Sequence, residues 1–257
     1  MENKALNLIG CKEYQYNQNI TLKIPLVKQI RNVQNTNVDF WREVNLFTTT
    51  PSDMISELDS NGIDFETIND YVLFLWLFAS YQADLKSKVE NGIVYDDILF
   101  STFKLHELNI KSVEDGEDFR IILVNNDDIE IINEIVYDEL SLIIADITGR
   151  KKTPPKKFGN DYAKKMRIKQ DYKNKEKARQ ESNKYKSDVL GGIILRLVCN
   201  TNFPYNFETI QDITIYDLLY SLKQIEKDIQ VSDLMQSRLV GNDLTKLPRE
   251  DLSRFIL

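Results

Sequence analysis

The chain has 257 residues, 42% hydrophobic and 10% aromatic, with 40 acidic against 33 basic side chains and a net charge of −7. That length and apolar content suffice for a full buried core, in one large domain or two small ones, and exclude disorder throughout. Nine glycines and six prolines are too few for the frequent turns of a β-sandwich, so long helices joined by short polar connections are expected. The class predicted is mainly α with a small N-terminal and central β component, an α+β body over residues 1–149.

Leu6 to Ile9 and Ile20 to Ile24 are β-prone clusters around a polar stretch and predict a small hairpin. Pro25 suits the first turn of a helix, where its missing N–H costs nothing, and Leu26, Val27, Ile30 and Val33 form a short apolar stripe. A second helix is expected to hold Val38, Trp41, Val44 and Leu46 or Phe47. Thr50-Pro51-Ser52-Asp53 reads as the start of a short third helix and Asn61-Gly62 as its stop. The pattern from Glu66 to Lys88 is strongly helical, and its middle, Tyr71 to Phe78, is apolar on every side. Such a helix belongs at the centre of the fold or under a partner subunit.

Ile98 to Leu105 and Phe119 to Val124 read as strands separated by the acidic turn Glu114 to Asp118. Asn125 to Asp128 is expected to cap a helix in which Ile132, Ile135, Val136, Leu140, Ile143, Ile144 and Ile147 recur at spacings of three and four, with Gly149 as its end. Residues 188–257 are predicted to be helical and to pack on the body. They comprise an apolar helix from Val189 to Cys199 started by Ser187-Asp188, a second carrying Ile215, Leu218, Leu219, Leu222, Ile225 and Ile229, and a final turn from Lys246 to Ile256.

Residue types that carry chemistry are sparse. The sole histidine, His106, lacks the second histidine one turn later that a zincin pair needs, and no glycine-rich phosphate loop occurs. Cys11 and Cys199 have neither a disulfide framework nor metal-ligand spacing. Asp96-Asp97, Glu114 to Asp118 and Asp127-Asp128 are acid clusters of the kind that collects in solvated turns. The expectation is no catalytic residue, no cofactor and no metal. The longest apolar run, Tyr71 to Ala79, is far short of the ~20 residues a membrane helix takes, so a soluble protein, made and kept inside a reducing compartment, is expected.

Charge is the informative feature. Between Arg150 and Lys186 lie fifteen of the 33 basic residues and only four of the 40 acids, so this segment carries +11 and the remainder −18. Thr153-Pro154-Pro155 is a rigid, non-helical lead-in, and the stretch beyond it is rich in helix formers with almost no apolar face. Residues 150–187 are therefore expected to form an exposed helical or mobile arm, dispensable for folding. Its partner-binding candidates are Lys156, Lys157, Lys164, Lys165, Arg167, Lys169, Lys173, Lys175, Lys177 and Arg179. An arm of this kind meets an acidic protein surface, nucleic acid through phosphates and interleaved Tyr162, Tyr172 and Tyr185, its own body, or only solvent.

Leu22-Lys23-Ile24-Pro25-Leu26-Val27-Lys28-Gln29-Ile30, Phe40-Trp41-Arg42-Glu43-Val44-Asn45-Leu46-Phe47-Thr48-Thr49-Thr50-Pro51 and Leu58-Asp59-Ser60-Asn61-Gly62-Ile63-Asp64-Phe65 resemble proteins encoded in tail modules of phages and prophages of low-GC Gram-positive bacteria. Ile213-Thr214-Ile215-Tyr216-Asp217-Leu218-Leu219 is similar to a recurring segment of the same proteins. The resemblance implies a non-enzymatic tail assembly chaperone or tail accessory protein that binds tape measure or tail tube subunits. Its place would be the host bacterial cytoplasm during assembly, or the virion tail. Self-association is a further expectation, and a DNA-binding regulator using residues 150–187 is the alternative reading.

Overall fold

The computed structural model describes residues 8–31, 36–92, 98–115, 118–184, 189–200 and 203–239. Asp96-Asp97, Ser187-Asp188 and the final turn from Lys246 lie outside these residues. In chain order the described elements are β1 (Glu13–Gln15), β2 (Thr21–Lys23), α1 (Val27–Arg31), α2 (Thr36–Thr48), a 3-10 turn (Pro51–Asp53), α3 (Ile55–Ser60) and α4 (Asp70–Glu90). A second 3-10 turn (Leu105–Glu107) leads to β3 (Asn109–Asp115), β4 (Asp118–Val124), β5 (Glu130–Ile132) and α5 (Glu134–Ile147). Helix α6 (Asp161–Lys184), α7 (Val189–Val198), a third 3-10 turn (Thr209–Asp212) and α8 (Ile215–Leu239) follow. The protein is mainly α with a small antiparallel β component, β1 paired with β2 and a sheet of order β3-β4-β5.

Local chemistry explains the boundaries. The Asn69 and Asn133 side chains accept from the backbone N–H groups of Val72 and Val136 and so cap α4 and α5. Thr50 and Asp53 close a reciprocal box at the turn before α3. Gly62 and Gly149 follow α3 and α5 with φ of 71° and 65°, the left-handed conformation that only glycine adopts without strain.

The core gathers on α2, α4 and α5. Phe74 stacks on Tyr137 with centroids 4.6 Å apart, and Phe47 lies 5.1 Å from Phe74. Around them Phe40, Val44, Phe78, Leu140, Ile144 and Ile147 are almost fully buried. Leu190, Ile194 and Leu197 of α7 and Ile215 and Leu218 of α8 join the same cluster. The backbone ties the starts of α1 and α8 together there: the Val27 N–H donates to the Ile213 carbonyl at 2.9 Å and the Ile215 N–H to the Pro25 carbonyl at 2.8 Å. A second, smaller cluster of Ile55, Leu58, Phe65 and Leu73 lies beneath α3.

Several elements differ from the sequence expectation. The first strand of the N-terminal hairpin is Glu13–Gln15; of the expected Leu6 to Ile9, residues 6–7 lie outside the described residues, and Leu8 turns into the core. Ile98 to Leu105 makes no strand beyond the single bridge of Phe100 to Leu22. Its apolar side chains Leu99, Phe100 and Leu105 are spent sealing the core, and the polar Asn109–Asp115 pairs with β4 instead. Asn125 to Asp128 caps no helix; it is a turn into β5, with the Asn125 side chain accepting from the Asp127 and Ile129 N–H groups. Ile132 consequently belongs to a strand, and α5 begins at its own cap, Asn133.

Candidate functional site

The segment read as a basic arm is a helix over Asp161–Lys184, exposed along most of its surface but seated on the body along one face. The lead-in is held first. Lys152 Nζ lies 2.8 Å from Asp70 Oδ2 and 5.4 Å over the Tyr137 ring, and Arg150 lies over Trp41 at 5.5 Å. Thr153 Oγ1 donates to Asp53 Oδ1 at 2.5 Å, and Ser52 Oγ accepts from the Lys156 N–H and donates to the Pro154 carbonyl, both at 3.1 Å. The Phe158 N–H donates to Glu66 Oε1 at 2.7 Å, and the Phe158 ring meets Phe65 edge-on at 6.1 Å.

The helix itself is seated through positions 164, 168, 171 and 175, whose steps of four, three and four put them on one face. Lys164 Nζ reaches Asp64 Oδ1 at 2.6 Å and Glu66 Oε2 at 2.9 Å. Ile168 packs against the second apolar cluster. Asp171, 9% exposed, accepts from Ser56 Oγ at 2.7 Å and from the Ser56 N–H at 3.1 Å. Lys175 Nζ lies 3.0 Å from Asp171, bonds Glu57, and donates to the Asp53 carbonyl at 2.9 Å. Tyr172 OH donates to the Ser56 carbonyl at 2.9 Å.

These contacts shift protonation. Burial disfavours the charged forms of Asp171 and Glu57, yet hydrogen bonds from Ser56 and Lys175 to Asp171, and from Lys175 to Glu57, outweigh it and hold both carboxyls below their usual range. Hydrogen bonds from Lys164 pull Asp64 and Glu66 down, with the Phe158 N–H helping on Glu66, and the same two carboxylates push Lys164 up.

The ten candidate residues therefore part into two groups. Lys164 and Lys175 point inward to acids of the body. Lys156 is anchored by its backbone, and Arg167 is half-buried. Lys165, Lys169, Lys173 and Lys177 recur every fourth residue along the outer face, all exposed, and Lys157 and Arg179 are exposed beside them. Lys165, Lys169 and Lys173 make no ion pair among the described residues. The expectation of a segment exposed throughout is corrected on this point: about one helical face is spent on the body, because acids at 57, 64 and 66 stand opposite lysines at 175 and 164. Sequence reading missed those acids and Ser56. No sequence signal singled them out: Asp171 stands one turn before Lys175 as Asp161 stands one turn before Lys165.

His106 lies near Glu107, its Nε2 3.8 Å from the carboxylate. Cys11 is half-buried and Cys199 exposed. Among the described residues no group of three or more His, Cys, Asp or Glu could hold a metal ion, and no helix is long and apolar enough to cross a membrane. No protein-family model, no curated protein and no solved structure matches this chain.

Proposed function

We propose that this chain is a non-enzymatic tail assembly chaperone or tail accessory protein, and that the lysine row of α6 is where it meets an acidic face of a tape measure or tail tube subunit. The resemblance supplies the assembly context. The observation that supports the surface is the division of charge on α6: its inner lysines are committed to the body, while Lys165, Lys169 and Lys173 stand outward on a helix that the inner contacts hold in place. A row held on a rigid support loses less side-chain and backbone entropy on binding than a mobile arm would.

The test is retention of a purified tape measure fragment by the full chain and by the variant Lys165→Glu/Lys169→Glu/Lys173→Glu. All three positions are exposed and make no ion pair among the described residues, and circular dichroism checks that α6 stays folded in the variant, where glutamates four apart repel one another. At ~0.15 M salt charges interact over about 8 Å, so binding should fall steeply as salt rises and should be lost in the variant. Equal retention by both proteins rejects the surface. The DNA-binding reading draws on Tyr162, 74% exposed beside the lysines, as a stacking platform. Salt-sensitive retention of duplex DNA, with no tail protein held, would replace the chaperone reading.

A further inference from the structure

Helix α4 carries an apolar stripe that faces solvent. Val72 and Trp76 are 47% and 38% exposed. Ala79 and Ala83 follow at steps of three and four and are exposed as well, so the four share one face. The remaining faces are used: Phe74, Phe78 and Leu85 lie in the main core and Leu73 in the second. At the N-terminal end of the stripe, Phe119 and Ile135 are 64% and 70% exposed and, with Val72, line a cleft of about 500 Å³.

We propose that this face seats a second copy of the chain, the two α4 helices running antiparallel about a two-fold axis that passes between Trp76 and Ala79. The order of side chains along the stripe favours this pairing. With Trp76 opposite Ala79 in antiparallel register, Val72 falls opposite Ala83, so every large side chain meets a small one, and the two-fold makes each match twice. The alanines let the axes approach to the short end of the ~8–10 Å range for packed helices. A parallel pair would set Trp76 against Trp76 and lose that fit.

Charge agrees with the same register. Lys86 falls opposite Asn69, whose amide donates to Glu134 Oε1 at 3.1 Å. Lys86 and Glu134 are both exposed. Lys86 of one protomer therefore meets Glu134 of the other at each end of the interface, whereas a parallel pair would bring Lys86 against Lys86. This inference does not rest on the lysine row of α6, which lies on a different helix.

Sedimentation of the full chain over a concentration series tests it. The expected result is a reversible dimer with twice the 30.0 kDa chain mass. Ala79→Glu should weaken it on the order of a hundredfold by burying a charge at the centre of the interface. Its circular dichroism and its melting temperature at low concentration should stay unchanged, because Ala79 is exposed in the single chain. Lys86→Glu and Glu134→Lys should each weaken association, and combining them should restore it. A monomer at every concentration overturns the proposal. So does a dimer indifferent to Ala79→Glu, and a double charge reversal that restores nothing overturns the antiparallel register.

Discussion

Asp171 is one of four acids in a segment of fifteen basic residues, and its position decides which way the helix faces. Its carboxylate takes two hydrogen bonds from Ser56 and lies 3.0 Å from Lys175, so truncation leaves the buried Ser56 N–H without its acceptor and takes from the half-buried Lys175 ammonium one of its three partners, Glu57 and the Asp53 carbonyl remaining. Asp171→Ala should lower stability by about 1–3 kcal/mol, read as a shift in the denaturant midpoint. Asp161→Ala, exposed at the start of the same helix, should stay within about 0.5 kcal/mol of the parent. The two acids look alike in the sequence; only the partner 115 residues away separates them. The same contrast holds on α5. Leu140 is fully buried and Leu142 is 59% exposed, so Leu140→Ala should cost about 2–5 kcal/mol and Leu142→Ala close to nothing, by thermal melting. Here the three-and-four spacing named Leu140 as a core residue in advance, because helix periodicity records which side of an element is wet.

At the scale of elements, α6 is attached mostly by charge, which makes its docking sensitive to acid. The carboxyls of Glu57, Asp64, Glu66 and Asp171 are all held below their ordinary values. Their contribution is therefore complete above the unfolded values of about 4 and is lost as pH falls through the lower folded values. Amide exchange in α6 should be slow and pH-independent, after correction for intrinsic rates, down to about pH 5, and should rise below about pH 4 before the main core opens. Deleting residues 156–185 behind a short Gly-Ser bridge should lower the melting temperature, since it strips Phe158 and Ile168 from the second cluster and leaves Asp64 and Glu66 without Lys164. An unchanged melting temperature would restore the reading of a dispensable arm. The helical character of this stretch was legible from its helix formers, but its seat was not: one isoleucine and alternate lysines give no apolar stripe, and an ion pair with a residue 98 or 100 positions away leaves no periodic trace. The strands show the reverse failure. Ile98 to Leu105 has β-prone residues but serves as an irregular seal, because β propensity measures fit to a half-buried surface and not the presence of a ladder partner.

Across the whole molecule, the segment of +11 lies against a remainder of −18, and the fold joins the two. Composition excluded disorder and a β-sandwich, and the helix-rich α+β class follows from few turn residues and long three-and-four patterns. Cap residues placed the ends at Gly62 and Gly149, because capping is settled within a few neighbouring residues. The lysine run, too, was evident from composition. Tertiary structure alone decided which lysines remain for a partner, since Lys164 and Lys175 are spent on acids brought from residues 57 to 66. It also decided that the apolar centre of α4 is not buried all round, leaving Val72 and Trp76 exposed. Local patterns report how one segment meets water on average, whereas the choice of which charged or apolar group finds a distant partner depends on the packing of every other element.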